Sequence, residues 1–378
     1  MKERCTTDYV VGDRVIIHKD SFAYISHPSI VRLNNGNWLA AFNHSRRRST
    51  LMHPPSDPLF RTLISRSSDR GATWQRPVFA PNFDSYGTEC PGIAQISDGT
   101  VILTEFRYGW FPLPMARKLK AEGKPIAISL PGKGFTEDFG DDAWQWSHFT
   151  WARGYRGVYG HLSHDGGQVF EETVAIDCAP YRDGYSRTGV IELADGRIAY
   201  ALTEHHPPNN RHTFLVFSSD KGKSWGKPVL AVDDPKLRFG EPDIAEVAPG
   251  EITCILRASK VGRHMFACRS TDAGETWSKP EPTSICGFPG HLLILADGRL
   301  LCTYGCRWEP FGIRMALSAD SGRSWDTEHE IIVRDDLSNG DLGYPTTIEY
   351  EPGRLFCCYY GLEPDGVTCV QGTYVDLR

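Results

Sequence analysis

Six segments of this 378-residue chain share one pattern, in which alternating apolar positions lead to a tight turn ending in glycine. They read SIVRLNNG at 29–36, GIAQISDG at 92–99, GVIELADG at 189–196, DIAEVAPG at 243–250, HLLILADG at 291–298 and TTIEYEPG at 346–353. A period of two is typical of a half-buried strand, and glycine accepts the positive φ of a hairpin turn. Each segment therefore predicts the first strand of a β-hairpin.

A second motif, Ser-x-Asp-x-Gly-x-x-Trp or a close relative, occurs five times. It reads SSDRGATW at 67–74, SHDGGQVF at 163–170, SSDKGKSW at 218–225, STDAGETW at 270–277 and SADSGRSW at 318–325. Apart from one insertion, the repeat is about fifty residues long, which is typical of a β-propeller. Six hairpins against five boxes predict an all-β, six-bladed β-propeller, with the last blade closed by the N-terminal segment DRVIIHK at 13–19.

Length and composition agree with one closed all-β domain over residues 1–378, with an insertion at about 107–152 in blade two. The 37 glycines and 25 prolines fit many turns. A net charge of −6 gives no electrostatic support for a nucleic-acid partner. The eleven cysteines form no paired CxxC motifs, and several lie in apolar runs as small core residues, so we expect no metal and no cofactor.

The location is predicted from the absence of targeting signals. The N-terminus MKERCTTDYVVGDRV lacks the apolar core of a signal peptide. No stretch approaches the ~20 apolar residues of a membrane span. We therefore expect a cytoplasmic protein without a membrane partner.

Propeller topology brings the start of each first strand to the axis, on the face opposite the boxes. Counting nine residues back from each turn glycine gives the six axial positions His27, Cys90, Arg187, Glu241, Pro289 and Tyr344, with Glu89, Asp243 and His291 close by. A purely structural ring would consist of small or apolar residues. This polar ring therefore predicts a functional site.

The boxes resemble the Asp-box repeats of the sialidase superfamily over residues ~20–378. The resemblance implies a glycoside hydrolase in which a tyrosine attacks the anomeric carbon and a glutamate takes its proton. It assigns these roles to Tyr344, in DLGYPTTI, and Glu241, in FGEPDI, with Asp57 as the acid/base. It also matches Arg257 to the second arginine of a substrate-binding triad, and Arg46 to a further substrate contact.

The chain departs from this pattern at two arginines. Where the family has Phe-Arg-Ile-Pro, this chain reads Ile-Ser-His-Pro, with His27 in place of the first arginine. The third arginine is either Arg307 or Arg314. Arg187 or Arg46 could supply the missing charge. Alternatively, the sugar has no carboxylate there, and Glu241 works as nucleophile with Glu89 or Glu204 as the acid.

Three functions remain open at this point. The first is a retaining exo-glycosidase acting on a terminal acidic or polar sugar. The second is a lyase on uronic-acid polymers, with His27 or His291 as base and Tyr344 as acid. The third is a propeller that binds glycans without catalysis. In each case the partner is a carbohydrate.

The insertion in blade two contains Trp110, Trp144, Trp146 and Trp151 and a possible short helix at 112–123. A long loop in a compact domain is usually functional, and this one is too aromatic for disorder. Two interpretations remain open. The insertion is a substrate wall, because aromatic faces stack on sugars, or a contact that makes the protein a homo-oligomer.

Overall fold

The computed structural model describes residues 8–48, 57–81, 87–204, 211–258 and 262–378, which form six antiparallel sheets. Blade one contains β2 (Ala23–Arg32), β3 (Trp38–Arg46), β4 (Arg61–Ser67) and β5 (Val78–Phe79), after the N-terminal strand β1 (Tyr9–Lys19). Blade two contains β6 (Gly87–Gln95), β7 (Val101–Pro112), β10 (Trp151–Ser163) and β11 (Glu172–Ile176). Blade three contains β12 (Ile191–Glu192), β13 (Ile198–Thr203), β14 (His212–Ser218) and β15 (Val229–Asp233).

The remaining three blades repeat the same order of four strands. Blade four contains β16 (Phe239–Ala248), β17 (Glu251–Ala258), β18 (His264–Ser270) and β19 (Glu281–Cys286). Blade five contains β20 (Gly290–Ile294), β21 (Leu300–Cys306), β22 (Gly312–Ser318) and β23 (Ile331–Arg334). Blade six contains β24 (Gly343–Glu351), β25 (Arg354–Leu362) and β26 (Thr368–Leu377). The predicted six-bladed propeller is confirmed.

The N-terminal strand β1 closes the ring, as the sequence predicts. It pairs antiparallel with β26, so that the outer strand of blade six comes from the other end of the chain. Closure removes the exposed sheet edge that an open array of blades would leave.

The Asp boxes are turns closed by their own side chains. In blade one, Ser67 Oγ accepts a hydrogen bond of 2.8 Å from the Gly71 amide and donates one of 2.8 Å to Asp69 Oδ1. Asp69 in turn accepts bonds from the amide and hydroxyl of Thr73. Ser67 lies opposite Trp38 at the start of β3, whereas Ser26 of β2 pairs with Asn43 near the other end of that strand. The boxes and the axial residues therefore occupy opposite faces.

The core lies between neighbouring blades. Leu215 and Phe217 of blade three, for example, share one apolar cluster with Ile252 and Leu256 of blade four. The ten cysteines of the described chain are free, and all except Cys286 are buried. This agrees with their expected place as small apolar core residues.

The insertion of blade two forms a small substructure of its own. It contains α1 (Leu113–Ala121), β8 (Ile126–Leu130), β9 (Gly134–Thr136) and a 3₁₀ helix over Asp141–Trp146. The helix confirms the short helix expected at 112–123. β7 continues past its predicted end to Pro112 and pairs with β10, so the two strands carry the insertion as a hairpin. Among the described residues, no helix has the length and hydropathy needed to span a bilayer.

Candidate active site

Four of the six predicted axial residues share an unusual backbone conformation. His27, Cys90, Glu241 and Tyr344 have φ between 45° and 50°, and each precedes a proline. Each also lies at a shift of register between the first and second strands of its blade. A non-glycine residue in this region costs about 1–3 kcal/mol and is retained mostly at functional sites. These bulges turn the four side chains towards one another.

The centre of the site is a buried contact between Tyr344 and Glu241. The phenolic hydroxyl of Tyr344 donates a short hydrogen bond to Glu241 Oε1. The other oxygen, Oε2, accepts a bond of 2.9 Å from Arg257. The two side chains come from blades six and four, 103 residues apart in sequence. The predicted meeting of phenol and carboxylate on the axis is thus present in the geometry.

The charges around this pair hold the proton on the tyrosine. Burial alone would raise the pKa of Glu241, but the charge of Arg257 and the bonds from Tyr344 and Arg257 lower it to about 2. Burial and the Glu241 carboxylate raise the pKa of Tyr344 well above its usual value, while Arg257 and Arg307 act in the opposite direction. At neutral pH the pair is therefore a neutral phenol beside a carboxylate.

A second group of axial residues surrounds the pair. Tyr185 of blade three donates to Glu241 Oε1 at 3.2 Å, and its hydroxyl lies 3.3 Å from Cys90 Sγ. The His27 ring meets the Tyr344 ring edge-on, with centroids 4.3 Å apart. Glu89 is 4 % exposed, and burial raises its pKa to about 8 against the opposing charge of Arg153.

Of the two candidates for the third arginine, Arg307 lies beside the central pair. The guanidinium of Arg307 lies 5.4 Å from the Tyr344 ring centroid and 5.9 Å from that of Phe288. Its Nε and Nη2 atoms are buried without a hydrogen-bond partner among the described residues. The Arg257 guanidinium lies 4.3 Å from the same Phe288 centroid. Arg314 instead donates to backbone carbonyl groups, including that of Pro310. Arg307 is therefore the one close to Tyr344, and its contact with a substrate stays a prediction.

Arg187 and His291 lie near the central pair, and the Arg187 guanidinium is 5.9 Å from the Tyr344 ring centroid. Arg187 is 1 % exposed and donates bonds of 2.6 Å to the carbonyl oxygens of Gly290 and Pro345. His291 Nδ1 accepts from the Thr347 amide at 3.3 Å, and burial together with Arg187 lowers its pKa to about 3. This geometry favours a structural role for Arg187, which ties blades three, five and six together. A substrate contact for either residue stays a prediction.

The Asp57 carboxylate is bound by Arg48 and by a backbone amide. It accepts two bonds from Arg48, of 2.5 and 2.9 Å, and one of 2.9 Å from the Leu59 amide. In the described part of the chain Asp57 makes no hydrogen bond to Tyr344 or Glu241. Arg46 is exposed at the end of β3, opposite Ala23. The roles of Asp57 and Arg46 stay predictions.

Aromatic side chains of the insertion lie beside Arg48, the partner of Asp57. The rings of Phe149 and Trp151 stack at 4.7 Å with an interplanar angle of 10°, and Arg48 lies 5.6 Å from the Trp151 ring centroid. Arg153 lies 4.4 Å from the Tyr108 centroid and interacts electrostatically with Glu89. Arg48, the partner of Asp57, and Glu89 are thus both in contact with this part of the chain. Whether it is a substrate wall or a subunit contact stays a prediction.

Sequence reasoning missed Tyr185, Arg153 and Arg48. Tyr185 lies two residues before the axial Arg187, a spacing that shares one side of a strand, but β12 of blade three is only two residues long. Arg153 and Arg48 reach the site from segments without repeat spacing. Glu204, proposed as an alternative acid, is instead bound to His212 and to the Arg182 amide.

The repeats also match a known family. Residues 142–357, more than half of the chain, match the family described as BNR repeat-like domain. The chain belongs to the BNR repeat-like domain family. A curated sialidase of Bacteroides fragilis (strain YCH46) is 21% identical over 338 residues, which cover 83% of this chain and 56% of that protein. The chain therefore spans about half the length of this curated relative.

Several solved structures have the same fold as this chain. A protein of unknown function from Dyadobacter fermentans has a TM-score of 0.83 and 24% identity, covering 98% of this chain and 99% of its own. The K499G mutant of NanB sialidase from Streptococcus pneumoniae has a TM-score of 0.68 and 14% identity, and the match covers 96% of this chain and 71% of that protein. The α-L-arabinanase of Penicillium chrysogenum has a TM-score of 0.64 and 14% identity, and the match covers 97% of this chain and 98% of that protein. The chain is thus a sialidase-like propeller in fold.

Proposed function

We propose that this chain is a sialidase-like exo-glycoside hydrolase that releases a terminal acidic or polar sugar with retention at the anomeric carbon. The observation that carries the proposal is the buried bond from Tyr344 to Glu241, whose other oxygen is held by Arg257. A phenol is a weak nucleophile unless a base takes its proton as it attacks. This pair provides both groups.

The reaction has two steps. In the first, Tyr344 Oη forms a bond to the anomeric carbon, its proton passes to Glu241, and the bond from that carbon to the leaving-group oxygen breaks. The leaving oxygen takes a proton from the acid, for which Asp57 is the predicted residue. In the second step, water attacks the anomeric carbon and gives a proton to Asp57, while Tyr344 leaves and recovers its proton from Glu241.

The two arginines give a reason for the preference for an acidic sugar. Arg257 and Arg307 both lie against the Phe288 ring, and the charge of each favours the ionised form of Glu241. A sugar carboxylate bound between them would compete with Glu241 for Arg257. Weakening that bond raises the basicity of Glu241 at the moment when it must accept the tyrosine proton. A neutral sugar would not have this effect.

The test is turnover of a panel of aryl glycosides of 2-keto sugar acids and of pentofuranosides. We expect activity on a sugar acid, and a fall in kcat of about 10³-fold or more in Tyr344→Phe and in Glu241→Gln. Tyr359→Phe is the matched control, because its hydroxyl bonds to Thr373 inside blade six. Activity unchanged in both site variants would refute the assigned roles.

The same panel separates the other functions. Cleavage of a pentofuranoside alone would favour paired carboxylates, Glu241 and Glu89, as the working groups. New absorbance from an unsaturated product on a uronic-acid polymer would identify a lyase. Glycan binding without turnover across the panel would leave a non-catalytic propeller.

A further inference from the structure

Three donor side chains from the openings of blades one and two converge beside the central pair. The ligand atoms of His27, Glu89 and Cys90 all lie within 4.8 Å of one another. The three residues are 1, 4 and 1% exposed. Nitrogen, carboxylate oxygen and thiolate sulfur are the donors that Zn²⁺ takes in proteins. We infer that this triad binds Zn²⁺ or another divalent cation of similar ligand preference.

The backbone explains how two consecutive residues can serve one site. Successive side chains of a strand normally point to opposite faces. Cys90, however, lies in the bulge between β6 and β7 with a φ of 45°, which brings its sulfur to the side of Glu89. The Cys90 amide donates a bond of 2.9 Å to Asn43 Oδ1, and this contact with blade one holds the strained residue in place.

The histidine ring is held in a similar way. Ser26 Oγ lies 2.9 Å from His27 Nδ1, so in this site the cation would be coordinated by the other ring nitrogen, Nε2. An outer hydrogen bond of this kind, on the second ring nitrogen, is common for histidines that bind metals. With bonds of about 2.0–2.3 Å, tetrahedral coordination needs donors roughly 3.3–3.7 Å apart. The donor atoms lie within 4.8 Å of one another, so they would have to approach by up to roughly 1.5 Å to reach that separation.

The site would have one open position. Three protein ligands leave the fourth coordination position of Zn²⁺ to water or to a substrate oxygen. The Tyr185 hydroxyl lies 3.3 Å from Cys90 Sγ, and the His27 ring touches that of Tyr344, so this position faces the reaction centre. A role for the cation in catalysis rests on the proposed function, whereas the metal site itself does not. In that role the cation would supply positive charge at His27, the position where the sialidase pattern has its first arginine.

Metal binding is tested directly and without a substrate. Protein freed of metal by a chelator, and kept reduced, is titrated with Co²⁺ and then Zn²⁺. We expect one equivalent of Co²⁺, a thiolate-to-cobalt charge-transfer band, and displacement by Zn²⁺. Cys90→Ser should abolish the band, and Ser26→Ala should weaken binding by about 10- to 100-fold. Cys254→Ser, a buried cysteine of blade four, should keep both stoichiometry and band.

Two results would overturn the inference. One is the absence of stoichiometric binding by the wild-type protein, and the other is equal binding by wild type and Cys90→Ser. Circular dichroism checks that each variant is folded, and Glu89→Gln, which keeps the side-chain volume, replaces Cys90→Ser if that variant does not fold. Binding of one Zn²⁺ without turnover of any glycoside would support the site and contradict the proposed function. Turnover of a glycoside by protein that binds no metal would support the proposed function and contradict the metal site.

Discussion

The ion pair between Arg257 and Glu241 lends itself to a quantitative test of the site. Glu241 is 7% exposed, and its pKa of about 2 lies below the ordinary value of 4.5. Each unit is worth 1.36 kcal/mol, so the surroundings favour the ionised form by about 3 kcal/mol. Arg257→Gln removes the main favourable charge and leaves a buried carboxylate. We expect the free energy of unfolding at pH 7 to fall by about 3 kcal/mol, the usual cost of breaking a buried pair.

The dependence on pH follows from the sign of the shift. Because the pKa of Glu241 is lowered in the folded protein, its contribution is present above pH 4.5 and is lost as the pH falls from 4.5 towards 2. A protonated Glu241 does not need Arg257, so the deficit of Arg257→Gln should narrow at acid pH. Tyr344, Tyr185 and Arg307 also face this carboxylate and are unchanged in the variant.

The assay is urea unfolding of each variant at pH 7 and at the lowest pH where the wild type stays folded. Arg354→Gln is the control, because this arginine is half exposed and its ion pair at the surface, screened by solvent, contributes little to stability. The double variant with Glu241→Gln should recover part of the loss. The reasoning is refuted if Arg257→Gln has the same free energy of unfolding as the wild type at pH 7. It is also refuted if the variant is less stable by the same amount at both pH values.

Three further predictions concern the Asp-box turns and hairpins. Ser67→Ala removes a buried acceptor for a backbone amide, so it should lower the Tm by several degrees, while the exposed neighbour variant Ser68→Ala should leave it unchanged in a thermal melt. Gly274→Ala should destabilise the protein far more than Gly298→Ala, although both glycines have φ near 90°. A Cβ at Gly274 would lie 2.7 Å from an aromatic ring of blade three, whereas a Cβ at Gly298 would meet open space. Equal urea midpoints would contradict this. Burial raises the pKa of Asp220, but its hydrogen bonds within the box lower the pKa by more. The Tm difference between wild type and Asp220→Asn should therefore shrink as the pH falls below about 4. A Tm difference that stays constant with pH would contradict this prediction.

The position of the axial residues was predictable because it depends on a local count. Nine residues before each turn glycine, the chain enters the axis, and that spacing holds for His27, Cys90, Glu241 and Tyr344. The contact of Tyr344 with Glu241 could then be expected from the resemblance to sialidases. The same count gave Arg187, whose charge is instead bound to two backbone carbonyl groups. Spacing alone does not distinguish a side chain that faces a substrate from one that joins blades.

The candidate metal ligands could not be predicted from local spacing in the sequence. The search of the sequence for paired CxxC motifs predicted no metal, because it considers donors at fixed spacing. The triad instead combines residues from two blades, and it depends on a left-handed backbone at Cys90 that reverses the normal alternation of a strand. No pattern of residue types marks that conformation.

The sequence by itself determined the number of blades, their closure by the N-terminal strand and the face of the site, because each depends on a repeated local pattern of strands and turns. The tertiary structure decided which side chains meet. It placed Arg307 rather than Arg314 close to Tyr344, bound Asp57 to Arg48, and brought Glu241 to Tyr344 across 103 residues. Such contacts depend on how six blades pack around one axis and on the bulges at their inner strands, and neither is encoded within a single repeat.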